Sequence, residues 1–362
     1  MKKVSIITWH YFANVGSALQ AYALQSTLSN MGYDVEIINY RRRELDNSWL
    51  TKKIKENFIY INKIFPNVLP ERFRFGFLEF QNTYLKQSSL VHTIEDIGRV
   101  SADSGVIVCG SDQIWAPNMF DKAYFLTFAN DETRKVAYAP SIGLENIPAE
   151  MIEIYKKLLK RFDYISVRED RGVELLRERC GIEDVRQVLD PTLLVDKEHW
   201  TELIKKEISP KGQYIFVYML GEKMWQRDWI KRYAERNDKK IIWLSRHKKD
   251  KAYADIFYSI MGPLNFLKHI ENADYVMTDS FHGMVFSLLF HKQYYLFERF
   301  DVQDELSQNS RIESLNRLLD TKNRVVKENV SFGEEKIDYT KIDKKIEIER
   351  KKSLEFLKCA LE

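Results

Sequence analysis

The chain has 362 residues, more than one hydrophobic core usually holds, and this length favours two domains. Lysine and arginine number 56 against 53 aspartates and glutamates, so the formal net charge is only +3, which argues against a dedicated nucleic-acid-binding protein. The three cysteines lie far apart, which argues against a disulfide framework and is typical of a reducing compartment.

The first half of the chain alternates short β-branched runs with amphipathic segments. Strands are predicted at residues 4–9, 35–40, 105–109, 135–139, 164–167 and 186–189. Helices are predicted at residues 17–31, 148–162 and 169–180, and residues 48–88 indicate a helical insertion rich in aromatic residues. The strand–helix–strand pattern at the start of the chain predicts a parallel sheet.

A second series of the same kind follows a segment that contains prolines and charges. Its strands are predicted at residues 214–220, 241–245, 275–278 and 294–298, with helices at 223–236, 262–272, 283–291 and 311–320. The sequence therefore predicts an α/β fold of two Rossmann-like, doubly wound domains that face each other across a cleft. We expect domains at 1–195 and 196–339, and a C-terminal helix at 340–362 that packs back on the first domain.

The longest apolar run covers residues 284–290, far short of the roughly 18 residues that a membrane helix needs. We therefore expect a cytoplasmic protein. Two basic segments, 41–43 and 246–251, would allow peripheral contact with the anionic inner face of a membrane, although solvated surface is the simpler interpretation.

Several common cofactor motifs are missing from the sequence. No two glycines are separated by a single residue, so the dinucleotide-binding fingerprint is absent. Residues 105–110 have the glycine spacing of a phosphate-binding loop, but Ser111 and Asp112 stand where Lys and Ser or Thr are required. Neither an Asp-x-Asp nor a His-Glu-x-x-His motif occurs, and we expect neither a cofactor nor a metal.

The junction after the strand at 275–278 is the most informative local feature. The apolar strand stops at Ser280, a helix begins at once, and His282 and Gly283 lie in its first turn. A helix N-terminus presents unpaired N–H groups and partial positive charge, and anions bind there in open α/β sheets. The pattern indicates a phosphate or carboxylate site; an N-cap serine beside a hydrogen-bonded core histidine is the structural alternative.

Loops that follow other predicted strands carry further polar groups. Asn14 and Gly16 precede a helix and could bind an anion or a sugar hydroxyl, or they could simply form a tight turn. Asp112, Gln113 and Trp115 suit a carbohydrate, because the polar groups bind hydroxyls while the indole stacks on the ring. A capped turn with a core tryptophan is the alternative for this second loop.

Arg168 stands where the strand at 164–167 meets its helix. A guanidinium there could hold a carboxylate or a phosphate through two parallel hydrogen bonds. A surface ion pair is the alternative.

Taken together and in this order, these motifs resemble those of the polysaccharide pyruvyl transferase family. The resemblance is carried by residues 14–16, 19–24, 110–115, 166–169, 190–191 and 278–283. It implies a GT-B-like fold and an enzyme that transfers the enolpyruvyl unit of phosphoenolpyruvate onto two hydroxyls of a sugar, forming a ketal. The sugar often belongs to a bacterial capsule, exopolysaccharide or cell-wall polymer.

The resemblance also implies roles for individual residues. His282 would contact the phosphate and act as general acid and base, Arg168 would hold phosphoenolpyruvate, and Ser280 and Gly283 would complete the donor site. The residues expected at the acceptor sugar are Asn14, Gly16, Asp112, Gln113 and Trp115. A polyprenyl-diphosphate-linked oligosaccharide at the inner membrane face is one candidate acceptor.

One position departs from the family pattern. Many members carry an arginine two residues before the histidine, where this chain has Ser280, and Arg311, Arg299 or Lys292 could supply the missing charge. Two other functions stay open at this point. One is a GT-B glycosyltransferase that uses a nucleotide sugar, and the other is a non-catalytic glycan-binding relative.

Overall fold

The computed structural model describes residues 2–42, 76–208, 210–301, 304, 307–328 and 336–362. Within these ranges the strands form two six-stranded sheets, and all pairings between neighbouring strands are parallel. The predicted α/β architecture with two doubly wound sheets is confirmed.

The first sheet has the strand order β2-β1-β3-β4-β5-β6. Its strands are β1 (Lys3–Ile7), β2 (Asp34–Ile37), β3 (Val106–Cys109), β4 (Arg134–Ala137), β5 (Tyr164–Val167) and β6 (Val185–Gln187). The helices of this half are α1 (Val15–Asn30), α2 (Phe77–Tyr84), α3 (Ile94–Val100), α4 (Ala149–Leu159) and α5 (Asp170–Glu178). Because strand order reverses beside β1, a crevice opens between the carboxyl ends of β1 and β3.

The second sheet has the strand order β12-β11-β10-β7-β8-β9. Its strands are β7 (Tyr214–Tyr218), β8 (Lys240–Leu244), β9 (Ile256–Tyr258), β10 (Tyr275–Thr278), β11 (Gln293–Phe297) and β12 (Val325–Val326). The helices are α6 (Lys197–Leu203), α7 (Met224–Arg236), α8 (Pro263–Asn272), α9 (Phe281–Leu289), α10 (Ser310–Leu319) and α11 (Tyr339–Leu361). The corresponding reversal of strand order lies between β7 and β10.

Two edge strands were absent from the sequence prediction. β9 has three residues and β12 has two, so neither is long enough to show an alternating pattern. The predicted insertion at 48–88 falls largely on residues 43–75, which lie outside the described residues; in the remainder, Phe77–Tyr84 is helical.

One continuous core joins the two halves. It extends from Val4 and Leu24 of the first half, through Trp200, to Phe266 and Phe286 of the second half. Helix α1 is buried along most of its length between these layers. This shared core holds the carboxyl edges of the two sheets close to each other.

The C-terminal helix α11 contacts residues of the first half. Lys2 Nζ donates a hydrogen bond to the Leu361 carbonyl at 2.7 Å, Leu189 N donates to Ser353 Oγ at 3.0 Å, and the Phe356 ring lies 6.3 Å from that of Tyr138. The domain boundaries at 195 and 339 stay predictions. Among the described helices, none combines the length and the apolar character needed to span a membrane.

Candidate functional site

The loops that follow β1 and β10 touch each other across the cleft. Gly16 lies in the first turn of α1, and a Cβ built on it would be 2.0 Å from His282 Nδ1. Any larger residue at this position would therefore collide with the imidazole. The two strand-order reversals thus bring one predicted residue from each half of the chain into contact.

Asp190 connects Arg168 with His282. Arg168 Nη1 donates to Asp190 Oδ2 at 2.7 Å, and His282 Nε2 lies 3.7 Å from Oδ1, a charge contact that is too long for a hydrogen bond. Ser111 Oγ and the Thr192 backbone N–H and hydroxyl also donate to this carboxylate. Burial alone would raise the pKa of Asp190, but His282 and Arg168 hold it well below its usual range.

The Arg168 side chain is 2 % exposed, yet only part of its hydrogen-bonding capacity is used. Its Nε and Nη2 are buried and have no hydrogen-bond partner within the described residues. Its guanidinium carbon lies 4.3 Å from the centre of the Phe281 ring. Burial opposes the charge, but Asp190, Glu169 and Asp112 together raise the pKa of Arg168, so it remains a cation.

Glu169 fixes the loop that follows β4. Its Oε1 accepts hydrogen bonds from Ser141 Oγ, Ile142 N and Gly143 N at 3.0, 2.8 and 3.0 Å. Its Oε2 is buried without a hydrogen-bond partner in the described part of the chain. This carboxylate therefore positions the backbone beside Arg168.

The start of α9 has the geometry of an N-capped helix. Ser280 Oγ accepts from Gly283 N at 3.5 Å, and Thr278 Oγ1 accepts from Ser280 N at 3.0 Å. A Cβ on Gly283 would lie 2.3 Å from Thr278 Oγ1, so the tight connection from β10 requires glycine. His282 Nε2 is buried and has no hydrogen-bond partner among the described residues, so His282 is not the satisfied core histidine of the alternative reading.

Two of the three candidate cations lie near Arg168. Arg299 forms an ion pair with Asp279 (Nε–Oδ2, 3.4 Å) and donates from Nη2 to the Asp279 carbonyl at 3.1 Å. Arg311 donates to Gln308 through Nε and Nη2 at 3.3 and 3.0 Å.

The charges of these arginines affect one another. Burial and the guanidinium groups of Arg168 and Arg299 lower the pKa of Arg311 to about 9. Because arginine stays charged in proteins, we interpret this as the cost of burying the Arg311 cation beside two others, which a bound anion would reduce. Lys292 interacts instead with Asp274 and Glu271, near the amino ends of the strands, so it lies away from this site.

Of the residues predicted at the acceptor sugar, Asn14 and Asp112 are hydrogen-bonded within the protein, whereas Gln113 Nε2 is buried and has no hydrogen-bond partner among the described residues. Asn14 Oδ1 caps α1 by accepting from Gly16 N at 2.9 Å. Asp112 has a positive φ of 83° and accepts hydrogen bonds from Ser17 Oγ and Gln113 N. Gln113 Nε2 points towards Gly143, where a Cβ would lie 2.5 Å away.

The sugar-stacking role predicted for Trp115 does not fit the structure. Its side chain is fully buried, its ring stacks on Phe125 at 5.4 Å, and its Nε1 donates to the Tyr124 carbonyl at 3.0 Å. The indole is thus part of the hydrophobic core of the first half. A tryptophan next to an apolar strand packs inward because it buries a large apolar area.

Sequence reasoning gave no role to Asp190 and Asp279. Asp279 accepts from Leu220 N and Gly221 N at 2.8 and 2.6 Å, which joins the ends of β7 and β10. Asp279 stands directly after β10, and Asp190 stands directly after the strand predicted at 186–189; this position was the available signal. No cluster of three or more His, Cys, Asp or Glu residues suited to a metal ion occurs in the ranges that the structure describes.

The chain matches a known protein family, whereas the comparison with individual curated proteins gives no match. The sequence model of a family described as polysaccharide pyruvyl transferase matches residues 14–299. No curated protein matches the chain significantly.

The solved structures that match the chain include two UDP-GlcNAc 2-epimerases and a wall teichoic acid polymerase. UDP-GlcNAc 2-epimerase from Neisseria meningitidis, bound to UDP-GlcNAc, has 11% identity, a TM-score of 0.53 and 99% coverage of both chains. The Methanocaldococcus jannaschii UDP-GlcNAc 2-epimerase has 15% identity, a TM-score of 0.46 and coverage of 96% of this chain and 99% of its own. The wall teichoic acid polymerase TagF has 11% identity, a TM-score of 0.47 and coverage of 99% and 82%. At such low identity the first of these shows the fold alone, and that fold is GT-B-like.

Proposed function

The chain belongs to the polysaccharide pyruvyl transferase family, and from this premise we propose that it transfers the pyruvyl group of phosphoenolpyruvate onto two hydroxyls of a sugar. The product would be a pyruvate ketal. The acceptor would be a bacterial surface polysaccharide or its lipid-linked precursor, the latter reached at the inner face of the membrane.

The observation that carries this proposal is that Nε and Nη2 of Arg168 have no hydrogen-bond partner in the described part of the chain. Nε and Nη2 point to the same side of a guanidinium and match the two oxygens of a carboxylate or a phosphate. Asp190 occupies the remaining donor, Nη1, and so fixes the plane of the group. A buried guanidinium whose Nε and Nη2 have no hydrogen-bond partner among the described residues is suited to bind an anionic donor.

The charge of the surrounding groups supports the same ligand. Phosphoenolpyruvate carries a phosphate and a carboxylate on adjacent positions, so it requires more than one cation. Arg311 interacts electrostatically with both Arg168 and Arg299, and the N-terminus of α9 adds N–H groups. Arg299 and Arg311 would thus replace the arginine that many family members carry two residues before the histidine.

His282 would transfer the protons of the reaction. It would protonate the methylene carbon of phosphoenolpyruvate, which leaves C2 electron-poor, and one sugar hydroxyl would form a bond to C2 while its proton returns to the imidazole. The C2–O bond to phosphate would then break, and a second hydroxyl would close the ketal as its proton leaves with the phosphate. Such positioned acid–base groups contribute roughly 10²–10⁴-fold in rate.

Substrate access requires a motion of the protein. The Arg168 side chain is 2 % exposed and that of His282 is 10 % exposed, so a ligand cannot reach both in this conformation. Contacts such as Arg317–Asp170 and the hydrogen bond from Arg246 to Ala13 join the two halves across the cleft. Opening of the cleft would break contacts of this kind.

The proposal is tested by incubating the protein with phosphoenolpyruvate and a panel of free and lipid-linked sugars, followed by mass spectrometry for ketal products. Release of inorganic phosphate in equal amount is the second readout. We expect a product with the wild-type protein and none with His282→Ala or Arg168→Met. Stabilisation by a nucleoside diphosphate, with no effect of phosphoenolpyruvate, would favour a nucleotide-sugar glycosyltransferase instead.

A further inference from the structure

The loop at 110–115 offers the acceptor few accessible groups, because Trp115 is in the core and Asp112 is buried and hydrogen-bonded to Ser17. A pocket lies beside the donor site, between the β1–α1 loop and the carboxyl ends of β7, β8 and β9. The residues that line it include Val15, Leu220, Leu244, Arg246, Ser259 and Met261.

This pocket adjoins the donor site at the start of α1. Val15 lines it, and the next residue, Gly16, lies against His282. Tyr218 also lines it, and its hydroxyl is close to Ser280 and to the charges of Arg299 and Arg246. A molecule in the pocket would therefore present its atoms towards the groups proposed to bind phosphoenolpyruvate.

The lining has the chemical character of a carbohydrate site with one cation. Phe77, Leu220 and Ile260 are partly exposed in the lining and offer apolar contact for the C–H face of a sugar ring, and Ser259 offers an exposed hydroxyl. Arg246 is exposed at the rim and donates one hydrogen bond, to the Ala13 carbonyl at 3.1 Å, which leaves further N–H donors of the guanidinium for a ligand. Lys248, exposed on the same loop, adds positive charge nearby.

We propose that this pocket binds the acceptor, and that the acceptor is a sugar bearing an anionic substituent that pairs with Arg246. This inference rests on the proposed transfer reaction and adds the chemical class of the acceptor to it. The anion is either a phosphate ester at the sugar or the carboxylate of a uronic acid. Both present two oxygens to the guanidinium fork.

The test measures binding, so it does not depend on turnover. Glucose 1-phosphate, galactose 1-phosphate, N-acetylglucosamine 1-phosphate and galacturonic acid are titrated into the protein by saturation-transfer NMR, next to the neutral methyl glycosides. The variants are Arg246→Ala, which removes the cation, and Ser259→Trp, which fills the pocket from an exposed position. Lys248→Ala is the matched control, because it removes a nearby charge outside the pocket lining. Unfolding temperatures verify that each variant is folded.

We expect one anionic class to bind at least tenfold more tightly than its neutral counterpart, since a hydrogen bond to a charged group contributes about 1.5–3 kcal/mol. Arg246→Ala should remove this preference, Ser259→Trp should abolish binding, and Lys248→Ala should change it less than twofold. Equal binding of neutral and anionic sugars, or unchanged binding in both pocket variants, would overturn the inference. Thermal stabilisation by phosphoenolpyruvate is measured in the same samples. Its absence would show that the donor proposal fails, independently of the result for the acceptor pocket.

Discussion

Gly16→Ala tests the contact between the two halves of the site with a single methyl group. The new Cβ would lie 2.0 Å from His282 Nδ1, whereas ordinary contacts begin at 3.4 Å. The imidazole or α1 must therefore move by at least 1.4 Å, the difference between these two distances. A misplacement of about 1 Å can cost a catalytic group about 10²-fold in rate.

The effect on stability combines two opposing contributions. Overpacking costs about 1–3 kcal/mol, while replacing a glycine in a helix by alanine contributes at most about 1 kcal/mol. We expect a net loss of about 1–2 kcal/mol in urea unfolding and a fall in ketal formation of about 10²-fold. Gly98→Ala is the matched control: it lies in α3, where a Cβ would meet Phe128 only at 3.6 Å, so it should be neutral or stabilising.

A double-mutant cycle separates the steric explanation from a general effect on α1. In a His282→Ala background the space taken by the imidazole is empty, and Gly16→Ala should no longer destabilise the protein. The coupling energy should be about 1–3 kcal/mol. Equal destabilisation in both backgrounds, or full activity of Gly16→Ala, would refute the reasoning.

Three further predictions concern the charges and the buried histidine. Asp190→Asn leaves the Arg168 guanidinium without its counter-charge and should cost about 3–5 kcal/mol in urea unfolding. Arg299→Met and Arg311→Met should each raise the KM for phosphoenolpyruvate tenfold or more, about the value of one charge-assisted hydrogen bond, whereas Lys292→Met should leave it unchanged. Burial lowers the pKa of His10, so the folded state binds fewer protons than the unfolded state below pH ~6.5 and stability should fall as the pH drops below that value. His10→Gln should reduce this slope by up to about 1.4 kcal/mol per pH unit.

Each of these predictions would be contradicted by a specific result. Asp320→Asn is the control for Asp190, since the Asp320 side chain is 83% exposed, and similar losses in both variants would speak against a special role of Asp190. If Lys292→Met raised the KM as much as the arginine variants, the loss of affinity for phosphoenolpyruvate would not depend on the position of the removed charge near Arg168. An unchanged pH slope in His10→Gln would mean that His10 is protonated in the folded state.

The sequence was sufficient to predict all strands of the two sheets except β9 and β12, and to point to functional residues after several of them. Period-two and β-branched runs located the inner strands of both sheets, and the position directly after a strand singled out His282 and Arg168. In a parallel sheet these positions share one edge, so topology alone brings such residues together. The edge strands β9 and β12 were missed because a run of two or three residues is too short to show an alternation of apolar and polar residues.

Other features of the site depend on packing between distant segments. Arg168 comes directly after β5, whereas Trp115 lies further along the segment that follows β3, and only the core around Phe125 distinguishes a buried indole from an exposed one. By contrast, Lys292 precedes the predicted strand at 294–298 and Arg299 follows it, so the sequence already places these two residues at opposite edges of the second sheet. Only the structure shows that Arg311 of α10 interacts with Arg168 and Arg299.

Calorimetric titration of phosphoenolpyruvate into the wild-type protein and into Arg168→Met, without an acceptor, tests the central claim most directly. We predict saturable binding by the wild type, weakened at least tenfold in the variant, as expected for the loss of a bidentate charged interaction. Equal affinity of the two proteins, or no binding by a folded wild type, would contradict the proposed donor site.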